Sequence, residues 1–115
     1  MADKQATTTV KKASTHEVMT PLLEAMYEEF KELSKKKPES AVSKSKLTIA
    51  NRLLEKMREI LATEESIDFL DLLNEDDVPQ VSDVALIFSQ YVAAMKAFKN
   101  RYYGCDGSAN VWFTK

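Results

Sequence analysis

Only two glycines and three prolines punctuate the 115 residues, and that scarcity decides the fold class before any periodicity is read. A β-sandwich or barrel must reverse direction every ten residues or so, and it draws on Gly, Pro, Asn and Asp to do it. This chain lacks the turn residues, and it lacks the Gly-rich strings of a phosphate-cradling loop or a dinucleotide-binding turn. Apolar side chains make up 44% of it and charged ones 30%, a globular balance rather than a disordered one. The expectation is an all-α fold, a small bundle of three long helices plus one short helix.

The helices are read from spacing. Ser14 and Glu17 have the spacing of a capping box, and Val18, Leu22, Met26, Phe30 and Leu33 then recur on one stripe of a first helix. Pro21 implies a kink, or a start at Thr20 with Pro21 in the first helical position. A second helix spans about 42–62, with Leu47, Ala50, Leu54, Met57 and Leu61 as its seam, widened by Ile49, Leu53 and Ile60. Thr63 caps a short third helix whose inner face is Ile67, Leu70 and Leu73. The last helix runs from Ser82 to Gly104, expected as a left-handed cap, and is apolar nearly all round between Val84 and Phe98. Residues 1–13 read as a disordered tail, 14–104 as the helical domain and 105–115 as a short extended C-terminal tail.

One cysteine excludes an internal disulfide, and one cysteine with one histidine cannot make a zinc site. The longest uncharged run, Val84–Met95, has twelve residues, short of the ~20 that cross a bilayer. The first fourteen residues have no apolar core of a secretory signal, so the expected location is cytoplasmic, with no membrane partner and no cofactor. His16 borders the expected tail, where nothing would tune it, and Cys105 reads as a spectator thiol.

Charge is segregated. Residues 1–62 carry twelve basic and nine acidic side chains, 63–95 carry no basic and eight acidic ones, and 96–115 carry four and one. Such a dipolar surface steers oppositely charged partners or promotes self-association. The expected function is therefore a non-catalytic protein-interaction or regulatory module, an adaptor, inhibitor or antitoxin-like protein that binds a protein or itself. Its partner-binding residues would be Trp112 and Phe113 as anchors, with Asp68, Asp71, Glu75 and Asp76 as the charged complement.

Two alternatives follow from other patterns. Lys35, Lys36, Lys37, Lys44 and Lys46 cluster around the first helix–helix connection, within a basic 31–58 region that suits nucleic-acid phosphates. The strings Glu28-Glu29-Phe30-Lys31-Glu32 (EExxE) and Glu65-Ser66-Ile67-Asp68 (ExxD), 32 residues apart, place carboxylates on common helical faces. This pattern resembles the metal-binding signature of the all-α nucleoside triphosphate pyrophosphohydrolases. The resemblance implies Glu29, Glu32, Glu65 and Asp68 as Mg²⁺ ligands and hydrolysis to a monophosphate and pyrophosphate.

Overall fold

The computed structural model describes residues 5–115, so the first four residues of the expected tail lie outside the described residues. The chain forms three long helices, α1 (Val10–Lys36), α2 (Lys44–Ile60) and α3 (Val81–Tyr102). A single 3-10 turn (Glu65–Phe69) bridges α2 and α3, and strands β1 (Tyr103–Cys105) and β2 (Asn110–Trp112) close the chain as an antiparallel hairpin. The all-α bundle and its extended C-terminal segment are as the sequence implies. The body is elongated, 52 × 24 × 23 Å, because α1 alone runs for about 40 Å at the helical rise.

Helix boundaries follow the capping chemistry. The Thr9 hydroxyl accepts the Lys12 N–H at 3.0 Å, so α1 begins at Val10 rather than Ser14 or Pro21. It passes through Pro21 as one helix. The segment ahead of it is held as well: Thr8 N–H donates to Phe113 O, and Lys115 N–H to Thr8 O. Ser43 caps α2 through the Lys46 N–H, and the Asp83 carboxylate accepts the Gln80 N–H at the start of α3. The 3-10 turn starts after Glu64 without a side-chain cap, so Thr63 does not serve as one.

α3 supplies the centre of the bundle. Val84, Phe88, Tyr91, Met95 and Phe98 are buried along it, with Phe30 of α1 stacked on Phe88 at 5.7 Å between ring centres. This helix has the length and mean hydropathy (1.2) of a membrane span, but only one face of it is buried, chiefly against α1, and Leu86 on the other face is 61% exposed, so the all-round burial expected from its sequence is not seen. From α2, Leu47, Ala50, Leu54, Met57 and Leu61 are all buried, the seam read from their spacing.

On α1 the buried face is His16, Met19, Leu23 and Phe30, while Val18 and Leu22 of the expected stripe face outward. The two stripes share Phe30, and the rings of α3 select the one that carries His16.

Glycine does its work in the hairpin rather than in a helix cap. α3 ends at Tyr102, and Gly104 sits in β1, where a Cβ would meet the Phe113 ring at 3.4 Å. Gly107 adopts φ 106° at the hairpin tip, a region open to glycine at no steric cost. Val78 is less well suited: it has φ 38° in the acidic turn before α3, where a β-branched side chain is strained. Val78 is exposed, so Val78→Gly loses no core contact, and the roughly 1–2 kcal/mol relieved in the left-handed region exceeds the ~0.5–1 kcal/mol entropic cost of glycine, a net gain of about 0.5 kcal/mol. Denaturant midpoints check this, and a destabilised variant would mean that any strain at Val78 is smaller than the entropy glycine adds to the unfolded chain.

Candidate functional site

α1 and α2 pack side by side and leave an apolar groove of about 530 Å³ along one face of the bundle. Met19, Leu22, Ala25 and Met26 line it from α1, and Ile49 and Leu53 from α2. The groove exists because each helix carries more apolar surface than the bundle covers. Leu22 is 52% exposed, Ile49 53% and the adjoining Val18 63%. Ile49, expected to widen the buried seam of α2, instead forms the groove's rim. Clustered apolar exposure of this kind makes the groove the candidate site, whereas apolar residues scattered singly need no explanation. The two methionines add adaptable, polarisable walls.

The rims are charged, and several of their charges are unused. Glu29 stands on the α1 rim, Arg52 and Lys56 on the α2 rim, and a smaller recess continues the groove past Glu29, Lys46 and Leu33. Lys56 pairs with Glu59 along its own helix. Glu29, Lys46 and Arg52 have no ion-pair partner among the described residues.

Trp112 and Phe113 are engaged within the chain. Trp112 Nε1 donates to Glu17 Oε1 at 2.8 Å, and its ring meets His16, Phe98 and Tyr103 at 5.1, 6.1 and 5.4 Å. Lys99 lies over both Tyr103 and Trp112. Phe113 N–H donates to Tyr102 O, and its ring covers Gly104. The hairpin thus folds onto the junction of α1 and α3.

The acidic segment divides in two. Glu75 accepts from the Thr48 hydroxyl and from Asn51 Nδ2, which hold its carboxyl below the usual range. Asp76 lies 3.8 Å from Lys44. The backbone beneath is pinned by Asn51 to both polar atoms of Leu73, by Arg58 to Leu70 O and by the Tyr91 hydroxyl to Asp71 O. Asp68 and Asp71 remain exposed, on either side of Phe69, which is itself 76% exposed.

Chemistry finds less support in the geometry. Among the described residues no three His, Cys, Asp or Glu side chains converge to hold a metal ion, so Glu29, Glu32, Glu65 and Asp68 do not form a ligand cluster. Glu32 is instead 3.2 Å from Lys35. In the basic region, Lys36, Lys37 and Lys46 are exposed, and Lys44 is shared with Asp76.

His16 corrects its sequence reading outright. It is 2% exposed inside α1, not at the edge of a tail. Nε2 lies 2.8 Å from Met95 O, Nδ1 lies 3.2 Å from the Thr20 hydroxyl, and the ring stacks on Phe98. Burial pushes its pKa below the usual 6.5, against the opposing pull of the Met95 carbonyl and Glu17. Cys105 is exposed at the end of β1, with Sγ accepting the Gly107 N–H.

Comparison with protein-family models, with curated proteins and with solved structures finds no match to this chain.

Proposed function

We propose that this chain is a non-catalytic, cytoplasmic protein-interaction module with a regulatory role. It acts by docking an amphipathic helical face of a protein into the α1–α2 groove. The groove itself carries the reading: Leu22 and Ile49 stand half-exposed around one concavity, with Glu29 and Arg52 on its rims free of ion-pair partners among the described residues. Docked helices insert apolar anchors at i, i+3, i+4 and i+7 into such grooves, and flanking charges fix their register. Trp112 and Phe113, the anchors expected from sequence, serve this reading indirectly, since their contacts brace the α1–α3 junction. Exposed Asp68, Phe69 and Asp71, none of which lines the groove, add a second contact.

The test is a capture experiment from nuclease-treated lysate of the source cells, run with the wild type and with Ile49→Glu. Ile49 is exposed, so the substitution should leave circular dichroism and thermal melting nearly unchanged. It should weaken specific partners by ~30-fold or more, the loss typical of a central interface residue. Partners that vanish with nuclease rather than with Ile49→Glu would transfer the function to Lys35, Lys36, Lys37, Lys44 and Lys46. That outcome would also show a steep loss of affinity with salt.

A further inference from the structure

The charges along the groove have an order that selects its occupant. On the α1 side, Lys11 stands near one end and Glu29 near the other. On the α2 side the signs are reversed: Glu59 lines the same recess as Lys11, and Lys46 the same recess as Glu29, with Arg52 about 9 Å further along α2. At these two levels each rim carries the charge opposite to the other, and Lys56 between them is paired along its own helix with Glu59.

A two-fold axis lying in an interface plane and running parallel to α1 and α2 preserves height and exchanges the rims. It lays α2 of one copy over α1 of the other. Lys11 then faces Glu59 of the second copy, Glu29 faces its Lys46, and every such contact occurs twice, as an isologous interface requires. Leu22 and Ile49, the half-exposed residues of each groove, meet between the four helices, with Met19 and Met26 able to fill the space between the hairpins. The perpendicular two-fold is disfavoured, because it stacks α2 on α2 and sets the Arg52–Lys56 pair against its own copy.

From this pattern we propose that the α1–α2 groove is a homodimer interface, its occupant a second copy of this chain related by a two-fold axis parallel to the helices. The inference rests on the reading of the groove as a protein-docking surface and names the partner.

The experiment is sedimentation equilibrium of the full chain, wild type and variants, with circular dichroism to confirm folding. The wild type should sediment at twice the 13.0 kDa chain mass. Glu29→Arg and Lys46→Glu should each weaken dimerisation by about tenfold or more, since each places two like-charged contacts in the interface. An equimolar mixture of the two variants should recover the dimer, because both contacts then join opposite charges. Leu22→Glu should be monomeric with native helicity.

A wild type that stays monomeric up to about 100 μM, beyond the micromolar range of weak complexes, overturns the inference. So does a dimer indifferent to Leu22→Glu and to charge reversal, or a mixture that fails to recover. A monomeric wild type whose captured partners are lost in Ile49→Glu would remove the second copy as occupant and leave the docking function standing. A monomer with no Ile49-dependent partner would remove both.

Discussion

Asn51→Ala should destabilise the protein by about 2–4 kcal/mol, the cost of leaving buried backbone groups unpaired. For a chain of this size that corresponds to a fall of roughly 8–15 °C in melting temperature. Asn51 is 6% exposed on α2, in the midst of its apolar seam. Its side-chain amide bonds both polar atoms of one residue: Nδ2 donates to Leu73 O at 2.7 Å, and Oδ1 accepts the Leu73 N–H at 2.8 Å. Leu73 is itself buried, so alanine orphans a donor and an acceptor together, and water has poor access to either. The same Nδ2 reaches Glu75 at 3.4 Å, so the acidic turn loses its tether as well.

Two companions test the mechanism. Asn51→Asp keeps the acceptor for the Leu73 N–H but sets a carboxylate against Leu73 O and Glu75. Its deficit should therefore shrink as pH falls and the new carboxyl protonates. Thr48→Ala removes one exposed bond to Glu75 and should cost less than about 1 kcal/mol. Urea titrations of the three variants, with amide exchange at Leu73, separate these outcomes. Equal losses for Asn51→Ala and Thr48→Ala would show that the clamp on Leu73 contributes nothing.

Asn51 also shows where sequence reasoning stops. The seam of α2 was legible because Leu47, Ala50, Leu54, Met57 and Leu61 form one stripe whichever partner covers them. Nothing in that spacing distinguishes a polar residue beside the stripe that faces water from one that clamps a loop. The clamp depends on a segment 22 residues further on. α1 failed for a related reason. Val18–Leu22–Met26–Phe30 and His16–Met19–Leu23–Phe30 are neighbouring stripes on one helix, and counting apolar residues favours the first. Packing chose the second, because a histidine whose ring nitrogens find Met95 O and Thr20 escapes the penalty of an unpaired buried polar group.

The groove is the consequence of that choice. With Val18 and Leu22 turned outward and Ile49 at the rim, the apolar surface that the sequence assigned to the core became the candidate site. The tail was half legible: the break near Gly104 and an extended segment after it followed from the two glycines, whereas Trp112 and Phe113, read as anchors for a partner, pack on their own chain. The register of β1 on β2, and the parallel bridge between Thr8 and Thr114, depend on contacts across the whole chain.

Lowering the pH from about 7.5 to 5.5 should destabilise the wild type through His16, and His16→Phe should remove most of that dependence. The folded chain holds His16 with a pKa below the usual 6.5, chiefly because burial disfavours the imidazolium, with Lys99 adding to the effect. Between 6.5 and the lower folded value, the unfolded chain binds more protons than the folded one. Stability therefore falls as pH falls through that window, levels off below it, and is fully present above about 6.5. His16 is the only histidine, and ordinary carboxylates titrate lower, near pH 4.

Phenylalanine can keep the stack on Phe98 and the edge contact with Trp112 while losing the bond to Met95 O. His16→Phe should thus be somewhat less stable at pH 7.5 yet nearly flat down to 5.5. Urea midpoints read from Trp112, the single tryptophan, report the transition at the contact concerned. Parallel pH slopes in the two proteins would overturn the assignment to His16, and Glu75 and Asp106, whose carboxyls hydrogen bonds hold low, would not explain them. Their contribution disappears only as pH falls below the ordinary carboxylate range. A loss already present at pH 6 therefore belongs to the histidine, and because His16 touches α3 and the hairpin at once, its protonation loosens both from α1 together.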